Sequence, residues 1–468
     1  MIIEQIYTGC LAQGAYYIES NGEVAIIDPL REVQDYLDRA AKKNAKIKYI
    51  FETHFHADFV SGHVTLAEKT GGKIVFGPNA KTKFDSHIAK DGEVFKLGNI
   101  TITVLHTPGH TMESTTYLLK DENGKDHAIF TGDTLFLGDV GRPDLAQKSD
   151  VTQDDLAAIL FDSLRNKIMT LADDVVVYPA HGAGSACGKN LSKETIGTLG
   201  EQKATNYALR PDMTKEEFVK EVTDGLLPPP AYFPLNVMLN KEGYQSIDDV
   251  IETGTRALSV KAFELIANET DALILDVRHQ SKFIKGFIPQ SIFIGLGGTF
   301  APWVGALVKD IKQPILLVVP EGKAEETITR LSRVGFDNVL GYLEGGFDAW
   351  KASGKDIDTL TSVSADVLEQ KINEEALVFD VRKPGEYAAE HIENVSSTPL
   401  DFLNDHISEF PTNKDFYVHC AGGYRSVIAS SILKARGFNK VIDVAGGYAA
   451  IRETGIKRTA VTSCSSSK

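Results

Sequence analysis

The sequence predicts a mixed α/β protein with three compact domains, and three observations support this prediction. In the first half, short apolar runs alternate with glycine-rich turns, a pattern typical of strands separated by turns and helices. The second half contains one sequence pattern twice. The length of 468 residues also fits about three domains of roughly 150 residues each.

The apolar runs of the first half predict its strands. Helical stretches are expected between them, for example at Val33–Lys43 and Asp155–Met169. Three consecutive prolines in DGLLPPPAYFPLN, at 224–236, forbid a regular helix and predict a rigid connection out of a first domain that covers residues 1–250. The predicted strands are YYIES, EVAIID, IKYIFETH, KIVFG, ITITVLHTPGH, HAIFTGD and DVVVYPAHG.

An internal repeat divides the remainder of the chain. Each copy reads strand, loop, strand, helix, strand, and apolar runs such as ILLVV and FYVH are typical of parallel strands covered by helices. The repeat predicts two copies of one domain, at 251–357 and 358–468, and the terminal TSCSSSK is predicted to be disordered. The matching segments, offset by 104, 102 and 101 residues, are LDVR at 275–278 with FDVR at 379–382, VGF at 334–336 with RGF at 436–438, and GGF at 345–347 with GGY at 446–448.

Charge and composition argue against several classes of function. Lys and Arg number 49 against 64 Asp and Glu, so the formal charge is −15 and a nucleic-acid backbone would be repelled. No stretch approaches the roughly 18 apolar residues of a membrane span, and no leader is recognised, so a cytoplasmic protein is expected. Four scattered cysteines are too few for a disulfide framework and would act as thiols.

Histidines and aspartates follow four of the predicted strands. Because the ends of neighbouring strands lie side by side, these groups are expected to converge on one rim, where they could bind a metal ion. Each histidine taken alone is better explained as a polar turn residue. Four histidines placed alike, with two acidic partners, favour a metal site. The residues are His54, His56 and Asp58 after IKYIF, His110 after ITITVLHTPG, Asp133 after AIFTG, and His181 after VVVYPA.

This constellation resembles the metallo-β-lactamase superfamily, whose pattern is H-x-H-x-D-H followed by separate His, Asp and His ligands. The resemblance covers about residues 1–240 and includes TPGHT, TGDTL and PAHG. It implies an αββα sandwich for the first domain. Phe59 stands where the hydrolytic members carry the last histidine of the motif, so a second metal would lose a ligand and a single ion is favoured.

Within the superfamily, ETH-x-HAD, GDTLF, GR-x-D and YPAH resemble the persulfide dioxygenase branch. That resemblance implies one Fe(II) per chain, held by His54, His110 and Asp133. Two imidazoles and one carboxylate on one face of an octahedron leave positions for O₂ and a persulfide together. The resemblance also makes Tyr178 a hydrogen-bond partner near the metal. The implied outer-shell residues are His56, Asp58 and His181.

Two further residues of the first domain have alternative interpretations. By the same resemblance Arg142 pairs with a carboxylate of the thiol carrier, whereas the alternative is an ion pair with Asp139 or Asp144. Cys187 either faces the site or is an inert, small apolar residue, and the second interpretation is favoured.

Cys420 lies between a predicted buried strand at 416–419 and a predicted helix. A cysteine at such a turn sits above a helix N-terminus, where free amides and the helix dipole favour the thiolate. Two glycines let the loop wrap with its amides inward, and Arg425 adds positive charge. The segment is therefore predicted to carry a reactive thiolate.

The cysteine loop resembles the active loop of the rhodanese sulfurtransferases, and the resemblance covers about residues 360–457, with FDVRKPGEY and AGGY as further matches. It implies that Cys420 carries sulfane sulfur with Arg425 beside it. The C-x4-R spacing is shorter than the C-x5-R that phosphatases need. The middle copy has Pro-Glu-Gly-Lys at 320–323 instead and resembles inactive rhodanese-like domains, which implies a scaffold. The implied substrate-binding residues are Ala421, Gly422, Gly423 and Tyr424.

In order and number, the domains resemble bacterial persulfide dioxygenase-rhodanese fusions. The resemblance implies oxidation of a low-molecular-weight thiol persulfide by O₂ to sulfite, and transfer of sulfane sulfur through Cys420 to sulfite, giving thiosulfate. A homo-oligomer is expected, with no nucleic-acid or membrane partner. Two alternatives stay open: a zinc-dependent hydrolase like glyoxalase II fused to a sulfurtransferase, and a non-catalytic sulfur carrier or sensor.

Overall fold

The structure is a computed structural model, and it describes residues 1–145 and 151–459. The chain separates into two compact units. The first holds Met1–Ile247 together with Ser332–Gly335, and the second holds Asp248–Leu331 and the residues from Phe336 onward. The predicted mixed α/β class is confirmed.

The first unit is built on two six-stranded sheets. In the first sheet, β1 to β3 are antiparallel and the remaining neighbours are parallel. In the second sheet only β10 and β11 pair in parallel. The first sheet consists of β1 (Ile2–Thr8), β2 (Gln13–Ser20), β3 (Glu23–Ile27), β4 (Lys46–Glu52), β5 (Lys73–Phe76) and β6 (His87–Ile88), and the second of β7 (Val94–Leu97), β8 (Ile100–His106), β9 (Thr115–Lys120), β10 (Asp126–Gly132), β11 (Val176–Pro179) and β12 (Gly197–Thr198).

Helices cover the outer faces of both sheets, which gives the αββα sandwich. The helices are α1 (Gln34–Lys42), α2 (His63–Thr70), α3 (Gln153–Ser163), α4 (Leu199–Thr205), α5 (Lys215–Thr223) and α6 (Phe233–Glu242), with a π-helical turn at Leu164–Ile168 and a 3-10 turn at Tyr207–Leu209. The next helix, α7 (Ile247–Gly254), belongs to the second unit except for its first residue. Between the sheets, Phe51 packs on Phe95 and Tyr117. Outside them, Leu66 of α2 and Leu160 of α3 belong to separate apolar clusters. Burial on both faces explains why the strands read as nearly continuous apolar runs.

The second unit contains two five-stranded parallel sheets with the same strand order. The predicted buried runs ILLVV and FYVH form the central strand of each sheet. The first sheet has the order β13-β17-β16-β14-β15 and the second β18-β22-β21-β19-β20. The strands are β13 (Ala257–Leu258), β14 (Leu273–Asp276), β15 (Ile292–Phe293), β16 (Ile315–Val318), β17 (Val339–Leu343), β18 (Ser362–Val363), β19 (Leu377–Asp380), β20 (Ser396–Ser397), β21 (Phe416–His419) and β22 (Val441–Val444). The helices are α8 (Val260–Glu269), α9 (Gln280–Phe283), α10 (Phe300–Leu307), α11 (Ala324–Ser332), α12 (Gly346–Ala352), α13 (Ala365–Ile372), α14 (Pro384–Ala389), α15 (Arg425–Ala435) and α16 (Gly447–Ile451), with 3-10 turns at Leu400–Phe402 and Ile407–Glu409.

The proline-rich segment at 224–236 differs from its prediction. It is irregular only to Tyr232, after which α6 begins at Phe233. Pro234 lies in the first turn of this helix, where its missing N–H would have no helical partner in any case. The segment therefore leads into a helix of the first unit.

Two other predictions concern the ends of the chain and membranes. The TSCSSSK segment lies outside the described residues. Within residues 1–145 and 151–459, no helix has both the length and the apolar character that crossing a bilayer requires.

Candidate metal centre and cysteine loop

The structure brings the predicted metal ligands together at one end of the sandwich. His54, His56 and Asp58 follow β4 of the first sheet, and the other candidates follow β8, β10 and β11 of the second. The rim is therefore shared by two facing sheets. An isolated bridge between Gln13 and His181 links the first sheet to the segment after β11.

His54, His110 and Asp133 form a compact, buried group. Their candidate ligand atoms all lie within 4.8 Å of one another. The Oδ2 atom of Asp133 is 3.4 Å from Nε2 of His110 and 3.9 Å from Nε2 of His54. The three residues are 1–3% exposed. Two imidazoles and one carboxylate thus face a common point away from bulk water.

Hydrogen bonds at the far side of each ring set the tautomer of both imidazoles. Nδ1 of His110 lies 2.8 Å from the carbonyl oxygen of Arg142, so Nδ1 carries the proton. Thr53 Oγ1 donates to Asp28 Oδ2 and therefore accepts from Nδ1 of His54 at 3.0 Å. Burial, reinforced by neighbouring imidazoles, lowers the pKa of His54 well below its usual range. In the neutral form of each ring, Nε2 is therefore the unprotonated nitrogen, and it faces Asp133, as a metal ligand must.

A second group, made of His56, Asp58 and His181, adjoins the first. Asp133 lies between the two groups, because its Oδ1 is 3.6 Å from Nε2 of His181. That nitrogen is also 3.4 Å from Oδ2 of Asp58. Burial alone would lower the pKa of His181, but Asp58 and Asp133 outweigh it and hold the pKa well above its usual range. In the absence of a cation, His181 is therefore the positive partner of these carboxylates.

Several buried polar atoms of these groups have no hydrogen-bond partner. Their carboxylates face imidazoles without a hydrogen bond, and a buried carboxylate without hydrogen bonds is costly, a cost that a bound cation removes. The residues present therefore fit a metal ion. The atoms are both carboxylate oxygens of Asp58 and of Asp133, both ring nitrogens of His56 and Nε2 of His181.

Phe59 and Asn240 shape the turn that carries the motif. The ring of Phe59 is fully buried and lies 4.4 Å from the ring of His56, centroid to centroid. Asn240 of α6 donates to the carbonyl oxygens of His56 and Phe59, both at 2.8 Å, and accepts from the Ser61 amide. The proline-rich segment thus leads directly to a residue that holds the metal-site turn.

Arg142 forms an ion pair with Asp144, which is one of the two interpretations that the sequence left open. Its Nε and Nη2 donate to the two carboxylate oxygens of Asp144, both at 2.6 Å. Nη1 donates to the Ala186 carbonyl and Nη2 also to the Leu227 carbonyl. Since every guanidinium nitrogen has a protein acceptor, this geometry favours the structural ion pair over capture of a substrate carboxylate.

Tyr178 and Cys187, the two remaining candidates of the first unit, have different surroundings. The described contacts of the Tyr178 ring are aromatic, stacked on Phe130 at 5.1 Å and edge-on to Tyr16 at 5.2 Å. Cys187 is buried, and its sulfur lies within 4.8 Å of ligand atoms of Asp133 and His181. Burial raises the pKa of the Cys187 thiol to about 12, so it is protonated at neutral pH. Cys187 therefore faces the site as a thiol.

Cys420 lies at the turn between β21 and α15, 1% exposed. The Gly423 amide donates to its sulfur at 3.1 Å, and Gly423 has φ +90°. The Ser426 hydroxyl is 3.5 Å from the sulfur and donates to Asp443 at 2.6 Å. The Gly423 amide is therefore the donor that stabilises a sulfur anion, whereas Ser426 gives its hydroxyl proton to Asp443 and accepts from the Cys420 thiol.

Arg425 and Tyr424 are held by neighbours outside the loop. Both Nη atoms of Arg425 donate to Glu386, at 2.6 and 2.8 Å, so part of its charge is neutralised. The Tyr424 hydroxyl donates to the carbonyl oxygen of Gly295. Ala421 and Gly422 complete the loop, and the Ala421 carbonyl accepts from the Ala449 amide at 3.0 Å.

Four contacts at these sites could not be recognised in the sequence. Asn240 lies 184 residues from His56, and Asp28, Glu386 and Asp443 are likewise remote from the residues they contact. Only Ser426, which directly follows Arg425, stands where a local pattern draws attention.

Two family models match the chain. Residues 8–181 match the metallo-beta-lactamase superfamily, and residues 259–353 and 364–454 match the rhodanese-like domain. Among solved structures, a metallo-beta-lactamase from Staphylococcus aureus subsp. aureus COL superposes with a TM-score of 0.66 at 30% identity, covering 73% of this chain and 99% of that one.

Relatives of the first unit carry two kinds of name. The chain is 30% identical over 220 residues to a human protein named persulfide dioxygenase ETHE1, mitochondrial, covering 47% of this chain and 78% of the relative. It is 31% identical over 188 residues to a probable hydroxyacylglutathione hydrolase of Schizosaccharomyces pombe, covering 39% of this chain and 69% of the relative. Identity is nearly equal in the two cases and does not favour one name over the other.

Proposed function

Because this chain belongs to the metallo-β-lactamase superfamily and carries two rhodanese-like domains, we propose that it is a two-site enzyme of sulfur chemistry. The first site oxidises the outer sulfur of a low-molecular-weight thiol persulfide with O₂, and one water molecule supplies the third oxygen as the sulfur–sulfur bond breaks, yielding sulfite, the free thiol and two protons. The second transfers sulfane sulfur through Cys420 to sulfite, yielding thiosulfate. The observation that carries this proposal is the buried convergence of His54, His110 and Asp133 with both imidazole tautomers set for a metal.

The first site is proposed to hold one Fe(II), bound by Nε2 of His54, Nε2 of His110 and a carboxylate oxygen of Asp133. Bound Fe(II) supplies the one-electron chemistry with O₂ that side chains lack. The protein keeps His54 neutral through burial and fixes both rings through Thr53 and the Arg142 carbonyl. Near-complete burial of the three ligands excludes bulk water.

At the second site, Cys420 is proposed to act as the sulfur-carrying nucleophile. Its sulfur attacks the outer sulfur of a persulfide, a new sulfur–sulfur bond forms, and the donor thiol leaves with a proton. Sulfite then attacks the outer sulfur through its own sulfur lone pair, and Cys420 leaves as the thiolate. The Gly423 amide, 3.1 Å from the sulfur, stabilises the anion before and after transfer.

A metal-dependent hydrolase is the second candidate, and one observation favours it. His56, Asp58 and His181 form a second candidate ligand group beside the first, with Asp133 between them. Two metals held there would position water for attack on a thioester. Phe59 packs against His56 and contributes no ligand, which weighs against a second ion.

Bound metal and O₂ uptake distinguish the two candidates. The protein is loaded anaerobically with Fe(II), its metal content is measured, and O₂ consumption is followed with glutathione persulfide. About one iron per chain with persulfide-dependent uptake is the expected result. Two zinc ions per chain with O₂-independent thioester hydrolysis would overturn the proposal.

Matched histidine variants assign the activity to the site. His110→Ala removes one ligand and is expected to abolish O₂ uptake and iron retention. His87→Ala is the control, because His87 pairs with Glu93 on the surface of the same unit. Equal loss of uptake in both variants would contradict the assignment.

A further inference from the structure

The helix that follows the cysteine loop packs on the middle domain. The Phe293 amide of β15 donates to the Ser431 hydroxyl of α15 at 2.9 Å. Tyr424, directly before α15, donates its hydroxyl to the Gly295 carbonyl at 2.7 Å, and its ring lies edge-on to Phe293 at 6.0 Å. The loop of one rhodanese copy is thus docked on the backbone of the other.

The middle-domain segment that receives Tyr424, Gly295–Gly298, is held firmly and is closely fitted to the ring; we call it the glycine loop. Arg330 of α11 donates to the carbonyl oxygens of Leu296 and Gly298, at 2.6 and 3.1 Å. A Cβ atom on Gly298 would lie 2.6 Å from Cζ and 2.7 Å from Cε1 of Tyr424. A Cβ atom on Gly297 would meet nothing within 4 Å. The two adjacent glycines therefore differ sharply in their relation to Tyr424.

Tyr424 stands between the two residues that define the environment of the Cys420 sulfur. On one side, the Gly423 amide donates to that sulfur. On the other, Arg425 begins α15 and pairs with Glu386. A shift of the Tyr424 backbone would move both, and hydrogen bonds to a reacting sulfur depend steeply on position.

We propose that the middle domain, which lacks a nucleophile, positions the Cys420 loop by anchoring Tyr424 on the glycine loop. The inference rests on the proposed sulfur transfer at Cys420. Tyr424 is a positioning residue that acts through Gly423 and Arg425. The sequence resemblance made Tyr424 a substrate-binding residue instead, and the two roles predict different kinetics.

The test compares Gly298→Ala, Gly297→Ala and Tyr424→Phe in the full chain. Gly298→Ala displaces the Tyr424 ring, and Tyr424→Phe removes the hydrogen bond to Gly295. For both, we expect roughly a tenfold lower kcat for sulfur transfer from thiosulfate to cyanide, with KM for thiosulfate unchanged. Gly297→Ala is expected to match the unsubstituted chain. The double variant of Gly298 and Tyr424 should lose no more than the stronger single variant, because both changes break one contact.

Hydrogen exchange tests the anchoring without relying on sulfur transfer. Amides of the peptide spanning Cys420–Ser426 should exchange roughly five- to tenfold faster in Gly298→Ala and Tyr424→Phe, and at the unchanged rate in Gly297→Ala. If the unsubstituted chain transfers no sulfur while this exchange pattern appears, the proposed function fails and the anchoring stands. Unchanged exchange in both variants, additive losses in the double variant, or a raised KM at constant kcat would each overturn the inference.

Discussion

The middle and last domains share one framework and differ in one loop. Both sheets have the same strand order, and each carries an Asp–Arg pair after its second strand, Asp276 with Arg278 and Asp380 with Arg382, at 2.6 Å in both cases. Each also turns through two glycines at positive φ, Gly345–Gly346 and Gly446–Gly447. The two domains therefore share the same framework contacts, whereas only the last domain has the nucleophile, Cys420.

This comparison separates residues that build the domain from residues that do chemistry. The Asp–Arg pair and the paired glycines occur in both copies, so they serve the fold. Cys420 and the amide of Gly423 occur in one copy, where the other has Pro320–Lys323. Sulfur transfer is therefore expected to depend on a short loop placed on a framework that is complete without it.

The largest expected effect follows from the loop itself. Cys420→Ser removes the only group at this turn that can carry sulfane sulfur, so sulfur transfer should fall by roughly three orders of magnitude or more. Persulfide-dependent O₂ uptake should persist, and sulfite should accumulate in place of thiosulfate. Product analysis by ion chromatography measures both.

The matched change in the silent copy is Glu321→Ala, an exposed position of the corresponding loop. It should leave sulfur transfer and O₂ uptake unaltered. Loss of O₂ uptake in Cys420→Ser would show that the two sites are one, contrary to the two-site proposal.

Breaking the shared Asp–Arg pair should affect stability in both copies alike. Arg278 and Arg382 are 9% and 4% exposed, so Asp276→Ala or Asp380→Ala leaves a buried guanidinium without its carboxylate. Each substitution should cost about 3–5 kcal/mol. Urea unfolding, with hydrogen exchange of peptides assigning the domain that opens, measures the loss. A loss confined to one copy would show that the frameworks are not equivalent.

The paired glycines offer a closer comparison. Gly346 and Gly447 have φ of +59° and +56°, so alanine strains both by about 1–2 kcal/mol. A Cβ atom on Gly346 would lie 3.4 Å from the Val319 carbonyl, whereas on Gly447 it would lie 2.3 Å from the Cys420 carbonyl. Gly447→Ala should therefore also lower sulfur transfer, by roughly a hundredfold, and Gly346→Ala should not. Equal activities in the two variants would contradict this difference.

Much of the framework was predictable because short stretches of the sequence determine its strands and turns. A buried run followed by histidine or aspartate gives both a strand and the position of its end, so the groups around His54, His110 and Asp133 were accessible from the sequence. The repeat was accessible because LDVR and FDVR recur with their glycines in order.

Residues that contact the sites from distant parts of the chain could not be predicted from the sequence. Asn240 holds the metal-site turn from a helix whose first turn contains a proline, and that proline reads as a helix breaker. Arg142 had two possible partners until the fold placed Asp144 in bidentate contact. The partner of Tyr424 belongs to another domain. Long-range contacts of this kind leave no local periodicity.

The smallest expected effect concerns the charge at the cysteine loop. The Arg425 hydrogen bond holds the pKa of Glu386 below its usual value, against the opposing effect of burial. A lowered folded-state pKa means that the pair stabilises the protein above the unfolded pKa and that this contribution is lost as pH falls through the folded pKa. Because the Glu386 side chain is 37% exposed, Glu386→Gln should cost less than about 1 kcal/mol at neutral pH.

The cost of Glu386→Gln should begin to fall as pH drops below about 4.5, the ordinary pKa of a glutamate, and vanish below the lower folded-state pKa, which urea titrations at several pH values can follow. The same change releases the full charge of Arg425 toward an anionic donor, so KM for thiosulfate should fall several-fold while kcat stays constant. The silent copy has Pro-Glu-Gly-Lys at 320–323 in place of the Cys420 loop, and Glu321→Ala in that segment leaves the Glu386–Arg425 pair intact. An unchanged KM in Glu386→Gln would mean that Arg425 does not bind the anionic donor. Arg425 would then stabilise the domain only, as Arg278 and Arg382 do.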